Sequence, residues 1–244
     1  MSVKCEINEG ILAVKTLLNI EKEFSGIEDS IHKARNELKI LELEGIKSVV
    51  KSFRVPHFLN RIVYSFFRDS KAKKSYKYAL KIGNFTPKPL AYIEFYENLL
   101  LKESYFISEN FKYDFTIREP LLEKDFEDRE KIFRAFSHFT LELHNAQIFH
   151  NDYSPGNILI KKQNGEYIFK IVDINRMDFM PLDEDLRAKN FSKLWADDDV
   201  LEIIGDEYAK HHNVSTSFTQ KLLDYNNKNK RIKNFKKRLK GKKV

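Results

Sequence analysis

The chain has 244 residues, 42% of them hydrophobic and 13% aromatic, with one cysteine and a net charge of +7. That is enough apolar material to bury a core in one domain or two small lobes, which excludes a disordered body; a single thiol, Cys5, excludes an internal disulfide framework and fits a reducing compartment. No apolar run approaches the ~20 residues that span a bilayer, and the first residues lack the apolar stretch of a secretory signal, which together predict a cytoplasmic protein.

In chain order, short apolar runs around Ile7 and residues 11–14 flank a turn at residues 8–10 and predict extended structure over residues 2–20. A polar loop follows at residues 25–30. Residues 37–43 alternate in part, Glu44-Gly45 forms a turn, and residues 48–53 are β-branched, which reads as an antiparallel hairpin. Residues 59–82 show helical spacing of Ile62, Phe66, Tyr76 and Leu80 amid many Lys and Arg, and Gly83-Asn84 ends the helix. Pro87 and Pro89 lead into a second hairpin, residues 90–95 and 104–107. Residues 1–110 thus read as a strand-rich lobe with one prominent helix.

Beyond a hinge near residues 109–114 the pattern becomes helical. Residues 127–147 place Ile132, Phe133, Phe136, Phe139, Thr140 and Leu143 on one face, and further helices are predicted at 183–195, 198–211 and 217–225. The fold class is α+β in two lobes, 1–110 and 111–225, followed by a tail at 226–244. Ten Lys/Arg and no acid lie in that tail; taking them from the total of +7 leaves the first 225 residues at −3.

Most of the functional information lies in His150-Asn151-Asp152-Tyr153-Ser154-Pro155-Gly156-Asn157, followed by the apolar run Ile158-Leu159-Ile160. A second apolar run, residues 167–172, ends at Asp173, so two short strands bring two carboxylates and an amide to one rim. A loop carboxylate at Asp152 can orient a hydroxyl and accept its proton. Asn157 and Asp173 offer the hard oxygens that Mg²⁺ prefers, and Lys51, on a strand of the other lobe, can reach nucleotide phosphates.

His-x-Asp-x-x-x-x-Asn, here His150, Asp152 and Asn157, resembles the catalytic loop of protein-kinase-like enzymes. With residues 49–53, 60–64 and 172–176, the likeness narrows to the lipopolysaccharide kinases, which phosphorylate Kdo or heptose of the inner core, and it spans about residues 33–208. The resemblance implies a two-lobed protein-kinase-like fold using ATP and Mg²⁺. It implies Asp152 as catalytic base, Asn157 and Asp173 as metal ligands, Lys51 as the phosphate-binding lysine and Val49 against the adenine. His150 would organise the loop, and Arg176 would meet an anionic group of the substrate. Two features depart from the family pattern. No glycine-rich loop precedes residue 43, where only Gly26 lies beyond Phe24. The helix over residues 61–82 contains Asp69 but no Glu, so the carboxylate partner of the strand lysine is unassigned, with Lys77 standing in its place. Alternatives are another small-molecule or protein kinase, or a nucleotide-binding pseudokinase.

The seven histidines show no metal-ligand spacing with cysteine, so core or surface roles are expected for His138, His144, His211 and His212. The basic tail has three readings: contact with anionic lipid, with nucleic acid, or a solvated end. Ile232, Phe235 and Leu239 recur at helical spacing and favour an amphipathic interfacial helix. A lipid-linked sugar substrate and peripheral membrane contact are the expected partners, and no nucleic acid is expected.

Overall fold

A computed structural model describes residues 2–33, 36–54 and 58–239 and divides between Lys112 and Tyr113 into two units, Met1–Lys112 and Tyr113–Val244. The first contains β1 (Ser2–Ile7), α1 (Val14–Leu18), α2 (Ile20–Gly26), β2 (His32–Lys33), β3 (Asn36–Leu43), β4 (Ile46–Phe53), α3 (Phe58–Phe66), α4 (Lys71–Ile82), β5 (Pro89–Glu97) and β6 (Leu100–Glu109). Its strands form one antiparallel sheet in the order β1-β5-β6-β4-β3-β2. The β3–β4 hairpin turns on Glu44 (φ 51°) and Gly45 (φ 79°). Two consecutive left-handed residues make the tight turn whose twist suits a two-residue hairpin, and this fixes the register Leu43↔Ile46 through Leu38↔Lys51.

Both faces of this sheet are covered. On one, Leu17, Ile20 and Phe24 pack with Leu41, Val50, Ile93, Phe95, Tyr105 and Ile107. Residues 14–26 are therefore helical, contrary to the extended reading. The apolar positions 17, 20 and 24 recur at helical spacing, and that period outweighs the short apolar runs. The buried Lys39 Nζ donates to the carbonyls of Phe24 (2.9 Å) and Ile27 (2.6 Å), closing the end of α2. On the opposite face, Ala72 and Tyr76 of α4 pack with Phe53, Tyr92 and Phe106.

The single helix expected over residues 59–82 is two helices. Ser70 caps α4, its Oγ accepting from the backbone N–H of Lys73 at 3.1 Å, and a local cap of this kind starts a helix regardless of the apolar period that runs through it.

The second unit contains β7 (Phe115–Thr116), α5 (Arg118–Leu122), α6 (Arg129–Asn145), β8 (Ile148–His150), β9 (Ile158–Gln163), β10 (Glu166–Ile171), β11 (Met177–Phe179), α7 (Glu184–Phe191), α8 (Asp198–His211) and α9 (Phe218–Leu239). Two small sheets, β10-β9-β7 and β11-β8, lie among these helices. Phe136 of α6 anchors an aromatic core, stacking on Tyr153 at 5.7 Å and meeting Phe169 and Phe191.

The last helix does not stop near residue 225 but runs to Leu239, so the basic segment is the second half of α9. Its asparagines explain this. Asn226, fully buried, donates to the Ala196 carbonyl (3.0 Å), Asn229 donates to that of Ser192 (2.7 Å), and Lys230 adds a bond to Ala196 (2.7 Å). Residues that are weak helix formers on their own are held in the helix by tertiary bonds. Among the described residues no helix is long and apolar enough to cross a membrane.

Candidate active site

Helix α6 delivers the chain to β8, whose last residue is His150. Its ring is buried. Nδ1 accepts the backbone N–H of Asp152 (3.1 Å), so Nε2 carries the proton and donates to the Val172 carbonyl (3.1 Å). Burial pushes the imidazole pKa down, which keeps it neutral. His150 is thus a strut between the loop at 151–157 and the end of β10. It is not placed as a base.

The loop is held closed from within. The Asp152 carbonyl accepts from the Ser154 N–H (2.7 Å) and from Asn157 Nδ2 (2.8 Å), and the Asn157 N–H donates to Ser154 (2.9 Å). Because the Asn157 amide nitrogen is engaged, its Oδ1 is left as the atom able to ligate an ion. The Asn157 carbonyl accepts the Val172 N–H (2.9 Å), tying this loop to the one that carries Asp173.

Asp173 sits in the left-handed region (φ 57°), which aspartate adopts more readily than most residues with a side chain. Its Oδ1 accepts from Asn175 Nδ2 at 3.2 Å. Two residues on, β11 pairs with β8 (Met177↔His150), and the Asn151 N–H donates to the Arg176 carbonyl at 2.9 Å. That pairing sets Arg176 beside the loop, where Nη1 lies 3.2 Å from Asp152 Oδ2. Asp152, Asn157, Asp173 and Arg176 are therefore brought together by two tied loops. Arg176, expected to face a substrate anion, is engaged with Asp152.

Behind the loop runs a buried polar chain that the sequence reading did not identify. Arg187 Nη1 donates to Tyr208 Oη (2.8 Å) and Tyr208 donates to His144 Nδ1 (2.9 Å). His144 Nε2 in turn donates to Asn190 Oδ1 (3.1 Å), and Asn190 Nδ2 donates to the His150 carbonyl (2.9 Å). Each bond fixes the donor role of the next, so a single proton arrangement satisfies all of them. Burial, opposed in part by the bond to Asn190, brings the His144 pKa down to about 3. The sequence carried a signal for this chain: His144 lies on the same face of α6 as Phe133, Phe136 and Thr140. Arg118 was likewise missed. Its guanidinium lies against the loop, so close that a Cβ on Gly156 would come 2.9 Å from its Nη2.

In the first unit, Val50 belongs to the layer under α2, so its neighbours Val49 and Lys51 point to the face that α4 covers. Lys51 Nζ lies 5.3 Å from the centre of the Phe53 ring. Asp69, the one acid in residues 61–82, is paired with Lys73 (3.1 Å) and Lys77 (2.8 Å) of α4. Lys77 thus shares this acid with Lys73.

No family model and no curated protein matches the sequence. Among solved structures, WaaP in complex with acyl carrier protein is similar over 94% of this chain and 99% of that one, with a TM-score of 0.57 and 14% identity. The Rio2 kinase complex with ADP/Mg²⁺ and phosphoaspartate from Chaetomium thermophilum aligns over 86% of this chain and 66% of that one, with a TM-score of 0.48 and 16% identity. The fold is α+β and protein-kinase-like. In that fold's terms the first unit is the sheet lobe and the second the helical lobe. The donor set fits Mg²⁺: one amide oxygen and one carboxylate, both hard ligands, on loops joined by a backbone hydrogen bond.

Proposed function

We propose that this protein is an ATP- and Mg²⁺-dependent phosphotransferase whose acceptor is a hydroxyl of a Kdo or heptose sugar on a lipid-linked lipopolysaccharide precursor. The observation that carries this reading is the joining of Asp152, Asn157 and Asp173 by the Val172–Asn157 and Asn157–Asp152 bonds. Asp152 orients the acceptor hydroxyl and takes its proton as the hydroxyl oxygen bonds to the γ-phosphorus and ADP departs. Asn157 and Asp173 would hold Mg²⁺, which supplies charge neutralisation to the phosphates. Lys51 and Val49 would contact the nucleotide. Kdo carries a carboxylate, which can take over the Arg176 guanidinium and release Asp152 Oδ2 for the hydroxyl.

The reading is tested by ATP consumption with Kdo-bearing lipid A, heptose-bearing acceptors, other sugars and a generic protein. Turnover confined to the lipid-linked sugars supports it. Turnover on another acceptor moves the protein to another kinase class, and nucleotide binding without turnover on any acceptor makes it a pseudokinase.

A peripheral site of action on an anionic membrane belongs to the same proposal. Ile232 and Phe235 are exposed on α9, and Phe235 is 63% accessible amid lysines and arginines; apolar groups within a basic helix favour anionic interfaces. Removing the segment from residue 226 would also strip the buried Asn226. The cleaner perturbation is Ile232→Ser with Phe235→Ser, expected to weaken sedimentation with phosphatidylglycerol vesicles while leaving thermal stability within about 0.5 kcal/mol. Unchanged sedimentation refutes membrane contact through α9.

A further inference from the structure

We propose that His138, Glu207 and His211 form a binding site for a divalent transition-metal ion of the zinc class, distinct from the catalytic loop. Glu207 and His211 are four residues apart on α8 and share one face; His138 comes from α6 opposite. Glu207 Oε1 lies 3.0 Å from His138 Nε2 and 3.2 Å from His211 Nε2, and all three ligand atoms fall within 4.8 Å of one another. In a tetrahedral site with bonds of about 2.0–2.1 Å, ligand atoms stand about 3.3 Å apart. Two edges of such a site are present to within a few tenths of an ångström, and rotation of the two imidazoles closes the third.

The carboxylate is prepared for this role. Its other oxygen, Oε2, is fixed by Arg134 Nη1 (2.8 Å) and Lys210 Nζ (3.0 Å), which leaves Oε1 directed at the imidazoles. Outer partners of this kind orient metal ligands. The imidazoles are about half exposed, at 44% and 46%, so an aqueous ion can reach them. In the tautomer with the ring proton on Nδ1, the Nε2 lone pair of each imidazole is available to the ion. Two nitrogens and one oxygen select a zinc-class ion over Mg²⁺ or Ca²⁺, which take oxygens.

The role is structural. The ion would clamp α6, which leads into β8 and His150, to α8, whose Tyr208 is a link in the hydrogen-bond chain ending on the His150 carbonyl. The test uses the full chain, freed of metal by chelation and titrated with Zn²⁺ against a chromophoric chelator, with Co²⁺ as a spectroscopic probe. The expected result is one ion per chain, a four-coordinate cobalt spectrum and a raised unfolding midpoint. His138→Asn and His211→Asn, both outside the catalytic machinery, should each weaken binding by about tenfold or more. Equal Zn²⁺ affinity in the wild type and the double variant overturns the proposal, as does a Zn²⁺-induced midpoint rise that the double variant retains in full.

Discussion

His144 makes the protein's acid sensitivity calculable. In the unfolded chain its imidazole titrates near 6.5; in the fold, burial brings it down to about 3. Between those values the unfolded chain binds a proton that the native state refuses. The stabilisation is therefore complete above pH 6.5 and is lost progressively as pH falls toward 3. Each pH unit inside the window is worth about 1.4 kcal/mol, so lowering pH from 7 to 5 removes about 2 kcal/mol through this one residue. For a chain of this length that corresponds to a fall in melting temperature of about 4–8 °C. His150, also buried and shifted in the same direction, adds to the loss. Glu184 and Glu207, both at about 2, stay ionised over this range and do not obscure it.

The comparison is between wild type and His144→Gln, which keeps a donor toward Asn190 but has no titrating ring. Thermal unfolding is followed by circular dichroism at pH 7, 6 and 5. The variant starts less stable, and its melting temperature should fall by about 4–8 °C less over the range. Parallel pH dependences for the two proteins would show that His144 is not held neutral in the fold, and with that the assigned direction of the Arg187–Tyr208–His144–Asn190 chain fails.

Two further outcomes follow from the loop. Asp152→Asn should lower phosphoryl transfer by about 10²–10⁴-fold while leaving nucleotide affinity, measured by calorimetry, nearly unchanged; retained transfer would remove Asp152 as the base. Gly156→Ala should displace the Arg118 guanidinium and reduce activity, but cost no more once Arg118 is already alanine. A double-mutant cycle on kcat/KM reads that coupling directly, and strict additivity would show that the contact has no bearing on the reaction.

Much of this molecule is local and was legible from residue order. Glu44-Gly45 dictates a hairpin turn, the residues of the loop at 150–157 stand within eight positions of one another, and α8 begins and ends where its polar boundaries place it. The same locality misled in places. Helical periodicity ran across Ser70 although α3 ends at Phe66 and the cap at Ser70 starts a new helix, and the basic stretch after residue 225, read as a tail with its own amphipathic helical spacing, continues the helix before it without a break.

What only the tertiary structure decided is which distant groups meet. Arg176 reaches Asp152 because β11 pairs with β8. Asp69 goes to Lys73 and Lys77 because the break at Ser70 places it beside the first turns of α4. His144, His138 and His211 look equivalent in the sequence, yet one is sealed into a neutral hydrogen-bond chain and the other two face a shared carboxylate at the surface. Burial and pairing set the protonation and partners of an ionisable group, and both are properties of packed neighbours that sequence spacing does not encode.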